Sequence, residues 1–209
     1  MRKIDQKTMD YRKYWNRLYR RLELWLRWKY EKGVTGNIGL HDYDEWRQLI
    51  NTNPEMWDAL KKIVPNTIDV VEDFLSTEDV VRKLYRATES RTASRVQSFN
   101  YNFDEKSVKL NLVVDGILAE CAKMYPDKYE RMREIEREYR EKWKVPEEEI
   151  REMGRLKREL LEECIEPLTR QRMREVMKEV FGEDRKFSLE CTSAIFPEIR
   201  YYCEVKTHV

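Results

Sequence analysis

The chain has 209 residues, of which 39% are charged, with 41 Lys and Arg against 40 Asp and Glu for a net charge of +1. That length can bury a core without staples, and six Gly and six Pro in so charged a chain favour salt-bridged helices over a β-sandwich or a disordered tail. The near-neutral total says nothing about binding to a polyanion, so any such signal lies in how the charge is distributed.

The opening Met1-Arg2-Lys3-Ile4-Asp5 is charged, and no apolar run approaches the roughly 18 residues of a membrane span, so neither a span nor a secretory signal is expected. From Ile4 to Trp25 the residues Ile4, Thr8, Tyr11, Trp15, Leu18, Leu22 and Trp25 recur at spacings of four and three, the rhythm of one helix face. Residues 1–32 carry eleven Lys and Arg against Asp5, Asp10, Glu23 and Glu31. On a helical wheel the cations lie largely opposite the Tyr11–Trp15–Leu18–Leu22 stripe, so one face packs while the other is free to meet phosphate. Lys3, Lys7, Arg12, Lys13, Arg17, Arg20, Arg21 and Arg27 are the candidate nucleic-acid contacts. Such a row gains affinity for duplex DNA by counterion release, without reading sequence, and RNA offers the same charge. Tyr14, Tyr19, Trp28 and Tyr30 fall outside the stripe and could stack on bases or lie against a partner chain. A basic amphipathic helix also suits an anionic membrane surface or another protein.

Residues 33–41 hold three glycines and predict a connector between this helical arm and a helical body over 42–182. Asp42 with Glu45 resembles a capping box, and Asn53-Pro54 an N-cap followed by proline, which predicts helices over 42–51 and 54–64. Thr67 and Ser76 can cap two more. Between Thr88 and Lys106 the run Ser90-Arg91-Thr92-Ala93-Ser94-Arg95, followed by Asn100-Tyr101-Asn102, loses helical periodicity and gains hydroxyl and amide side chains, the composition of a loop and a candidate phosphate contact as a whole. Residues 107–124 are apolar enough for a buried central helix, although Val108-Lys109-Leu110-Asn111-Leu112 alternates as a strand would. Three charged helices follow, over 127–144, 146–165 and 167–181, separated by Pro146 and Pro167 and closed by Gly182.

Beyond Gly182 the period falls to two, with Phe187, Leu189, Cys191, Ser193 and Ile195, then Ile199, Tyr201, Cys203 and Val205, which predicts a C-terminal β-hairpin over 183–209. A turn centred on Pro197 sets Cys191 opposite Cys203, within reach of a disulfide, and Leu189 opposite Val205. The expected fold is mainly α: a basic arm, a helical bundle and this hairpin. Cys121, Cys164, Cys191 and Cys203 lack CxxC spacing and only two histidines are available, so no metal and no cofactor are expected. No phosphate loop, HExxH pair or GxSxG elbow occurs. The abundance of Glu, Arg and Lys is what hyperthermophile proteins show, and those organisms tolerate intracellular disulfides.

Glu190 on the first strand with Glu204-Val205-Lys206-Thr207 on the second resembles the core of the PD-(D/E)xK nucleases, in which paired carboxylates hold a divalent metal and a lysine helps activate water. The RecB-like nucleases of CRISPR systems place a helical region before such a hairpin, but this chain lacks their cysteine cluster. The combination with residues 1–32 resembles the nucleocapsid proteins of filamentous hyperthermophilic archaeal viruses of the tristromavirus type. That resemblance implies a non-enzymatic DNA-coating protein in a virion or the cytoplasm, self-associating or joined by a related coat subunit, with an inactive nuclease remnant. A metal-dependent nuclease and a helical accessory subunit of a ribonucleoprotein or replication complex are the competing expectations.

Overall fold

The computed structural model describes residues 12–23, 39–102, 104–142, 145–194 and 199–209. The chain divides into two compact units, residues Met1–Asp79 with Asn100–Asp104 and residues Val80–Phe99 with Glu105–Val209.

The first unit is helical. Residues 12–23 form α1, followed by α2 (Leu40–Thr52), α3 (Pro54–Ile63) and α4 (Pro65–Ser76). Asn53 caps α3 through its side chain, which accepts from the Met56 N–H at 3.2 Å, and Pro54 opens the helix where its missing N–H costs nothing. The cap of α2 differs from the expected one: Gly39 is the N-cap, and Asp42 sits three residues on, its carboxylate accepting the Gly39 N–H at 2.8 Å. The helix thus starts at Leu40, inside the span read as a connector; residues 33–38 lie outside the described residues. Tyr43 and Trp46 of α2 and Phe74 of α4 are fully buried, with Tyr43 stacked on Phe74 at 4.1 Å between ring centroids and Trp46 tilted against Trp57 at 6.0 Å. Each such burial contributes on the order of 1.5–3 kcal/mol.

The second unit holds most of α5 (Glu78–Thr92), then α6 (Asp115–Met124), α7 (Pro126–Lys142), α8 (Glu147–Leu160) and α9 (Glu166–Phe181). They accompany a four-stranded sheet of order β1-β2-β4-β3, formed by β1 (Arg95–Asn102, whose Asn100–Asn102 end is assigned to the first unit), β2 (Ser107–Val113), β3 (Phe187–Ala194) and β4 (Arg200–His208). β4 runs antiparallel to both neighbours, with Leu110 opposite Val205 on one side and Leu189 opposite Val205 on the other. Val108, Leu110, Leu112, Tyr201, Cys203 and Val205 are buried, as are Ile117 and Cys121 of α6 and Met173, Val176 and Met177 of α9.

Mainly α is therefore correct, and the strand content is larger than a terminal hairpin. The span 88–106 is not a loop: α5 runs to Thr92 and β1 follows. The span 107–124 is not one helix: it opens as β2 and turns into α6 after Val114. The turn into α6 is tight, because a Cβ on Gly116 would overlap the carbonyl of Ala93, a close approach only glycine allows. Pro167 does not separate two helices either. A π-helical turn, Leu161–Ile165, joins α8 directly to α9, and this widening of the ladder immediately precedes Pro167, whose ring supplies no donor to the preceding turn.

Candidate nucleic-acid interface

Two anchors fix the orientation of α1 within the first unit. Tyr14, Leu18 and Leu22 are buried at spacings of four, and the Tyr14 hydroxyl donates to the carbonyl oxygen of Leu49 at 2.6 Å. Leu49 lies in the last turn of α2, where carbonyls have no intrahelical donor, so the tyrosine satisfies a group the helix leaves open. Arg21 donates to Asp42 at 2.6 Å and pairs also with Glu45. Asp42 is only 1% exposed, so this arginine compensates a buried carboxylate.

This phase corrects the expected packing stripe. Tyr14 takes a buried place and Trp15 is 43% exposed, the reverse of the reading from spacing alone. Tyr14 wins because burying it also pairs a hydroxyl with an orphan carbonyl. It is consequently no base-stacking residue, whereas Tyr19 is 60% exposed and available. Ile4, Thr8, Tyr11, Trp25, Trp28 and Tyr30 lie outside the described residues.

The opposite face carries Arg12, Lys13, Arg17 and Arg20, all exposed and none ion-paired with a described residue. Lys13, Arg17 and Arg20 are spaced four and three apart, which sets them in one row about 10 Å long at roughly 1.5 Å rise per residue. Lys13 and Arg17 also line a cleft of about 150 Å³ with Gln48, Leu49 and Thr52 of α2. Of the eight candidate contacts, four are thus exposed together and Arg21 is spent on packing; Lys3, Lys7 and Arg27 lie outside the described residues.

No family model, curated protein or solved structure matches the chain.

Elsewhere many cations are already engaged. Lys128 pairs with Glu159 and Glu163 at 2.9 and 2.8 Å, and Arg131 with Glu152 at 2.9 Å. Side-chain hydrogen bonds to those carboxylates hold both cations above their ordinary pKa. Arg133 and Arg140 both bond the buried Glu136. Lys83 and Arg86 of α5 are exceptions that a charge tally over residues 1–32 passes over: both are exposed, and neither is ion-paired with a described residue.

The hairpin residues do come together. Glu190 lies opposite Glu204, and Glu204 and Lys206 share a strand face. Yet Glu204 accepts from Lys109 at 2.7 Å, and Lys206 bonds Glu105, whose pKa that hydrogen bond lowers. Glu204 is thus committed to a pair with the neighbouring strand and Lys206 to the turn that precedes β2, and no group of three or more His, Cys, Asp or Glu among the described residues is placed to hold a metal. Cys191 and Cys203 face each other in register and form a disulfide; the turn at Pro197, and Ile195, lie outside the described residues. A second disulfide, Cys121–Cys164, joins α6 to the π-turn across a sequence separation of 43, a pairing that no local spacing in the sequence marks. Among the described residues no helix is long and apolar enough to cross a membrane.

Proposed function

We propose that this chain is a structural nucleic-acid-binding protein that coats or packages double-stranded DNA without reading its sequence and self-associates on it, in the manner of the nucleocapsid proteins of filamentous archaeal viruses. The observation that carries this reading is the outward group of Arg12 with the row Lys13, Arg17 and Arg20, without ion-pair partners among the described residues and bordered by exposed Trp15 and Tyr19. Cations already bonded to carboxylates have little left to offer a phosphate; these four have their full charge. If each neutralises one phosphate, binding falls with a log–log salt slope of about −3.6, roughly a hundredfold between about 50 and 200 mM salt.

The test is the affinity for a random-sequence duplex across a salt series in a metal chelator. A steep slope that flattens in Arg17→Ala/Arg20→Ala supports the reading, and absence of binding at low salt removes it. Particles or filaments appearing in electron micrographs only when duplex is added would establish the coating mode. The nuclease reading is disfavoured by the engagement of Glu204 and Lys206 with other partners; cleavage with magnesium or manganese that vanishes in Lys206→Ala would restore it. Exposed Trp15 and Tyr19 also suit docking on a protein, for which a discrete heteromeric mass without nucleic acid is the sign.

A further inference from the structure

The second unit carries a cationic groove of its own. Its floor and one wall are α5, with Ala87 buried and Lys83, Arg86 and Ser90 opening outward; the facing wall is Glu179 and Val180 of α9, and the space between is about 400 Å³. Lys83, Arg86 and Ser90 recur at spacings of three and four, so all three project from one stripe of the helix. The single carboxylate in the groove is already neutralised, because Glu179 accepts from the Arg91 guanidinium at 2.7 and 2.6 Å. That pair leaves Lys83 and Arg86 as the uncompensated charges, beside a hydroxyl that can donate.

We infer that the α5/α9 groove is a second phosphate-binding site, taking the sugar-phosphate backbone of nucleic acid through Lys83, Arg86 and Ser90. This rests on the DNA-coating reading and extends it, since the chain then holds backbone phosphates through both of its units. The recognised chemistry is the charged phosphate oxygen: two cations supply field, and the serine hydroxyl supplies one directed hydrogen bond. Charge attraction to phosphate is the same whatever the base, so the contact adds affinity and salt dependence.

Duplex affinity across a salt series tests it in the full-length chain, with Lys83→Gln/Arg86→Gln compared against Lys123→Gln/Lys186→Gln, which removes the same charge from exposed positions outside the groove. All four positions are exposed, Lys83, Arg86 and Lys123 in helices that glutamine keeps and Lys186 in the coil before β3, so circular dichroism is expected to be unchanged. The expected result is a log–log slope shallower by about 1.8 for the groove variant alone, and a further loss when it is combined with Arg17→Ala/Arg20→Ala. Equal slopes for the groove and control variants, with the α1 variant still defective, would overturn this inference and leave the coating reading standing. No duplex binding by the unaltered chain would overturn both. Titration with a nucleoside triphosphate at constant ionic strength separates the sources of phosphate: displacement of the duplex at micromolar nucleotide, lost in the groove variant, would make the groove a nucleotide site and overturn the assignment to backbone.

Discussion

The hydroxyl of Tyr14 caps the carbonyl of Leu49 at 2.6 Å, while the next residue, Trp15, is 43% exposed. A buried hydrogen bond of this kind is worth about 1 kcal/mol, so Tyr14→Phe is expected to lower the unfolding free energy by that amount and Trp15→Ala to leave it within about 0.5 kcal/mol. Urea unfolding of the two variants checks the rotation of α1. The opposite ranking would put the packing face where the sequence spacing placed it.

Arg17 and Arg21 are neighbours at one helical turn with different work. Arg21→Ala leaves Asp42 buried with one charge partner fewer and is expected to cost about 1–3 kcal/mol of stability while leaving the salt slope of duplex binding intact. Arg17→Ala is expected to do the reverse. Parallel denaturation and binding measurements on the two variants decide it.

That division was not legible in the sequence, because a helical wheel gives the angle of Arg21 but not the acid on α2 that meets it. Helices opened by proline, such as α3, were legible since Asn53-Pro54 combines a side-chain acceptor with a residue suited to the first turn. The register of Cys191 on Cys203 followed from strict alternation. β1 was not readable for the converse reason: its buried residues are Val96, then Phe99 and Tyr101, so the alternation slips by one between Val96 and Phe99 and the strand resembles a loop. The α5/α9 groove was invisible because its walls are some 90 residues apart in sequence.

Lys157 is buried, and its ammonium donates to the carbonyl of Ala194 at 2.9 Å; burial lowers its pKa from 10.5, opposed in part by Glu136. Below the lowered folded value the lysine is charged in both states and the burial penalty is felt in full. As pH climbs from that value towards 10.5 the unfolded chain holds the proton more strongly, and stability rises. Lys157→Met lacks this dependence. The stability of the unaltered chain relative to the variant is therefore expected to increase between about pH 7 and about pH 10, measured by urea unfolding at each; a constant difference would contradict it.

The two disulfides are expected to contribute unequally. Cys121–Cys164 spans 43 residues and Cys191–Cys203 spans 12, for which loop-closure entropy gives about 4 and about 3 kcal/mol respectively. Paired Cys→Ala variants unfolded in urea without reductant test the order. A larger loss from the shorter loop would mean that native-state packing, not the unfolded chain, sets the contribution.

β4 lies between β2 and β3, although it follows both in the chain. During synthesis β1, β2 and β3 emerge before the strand that joins the last of them to the others, and Ser107 waits for His208, a hundred residues later, to complete its pairing. The sheet therefore closes from its middle and only once β4 has left the ribosome. Until then two strand edges that end up facing inward stand open to neighbouring chains, an interval in which the nascent chain is at its most prone to aggregate.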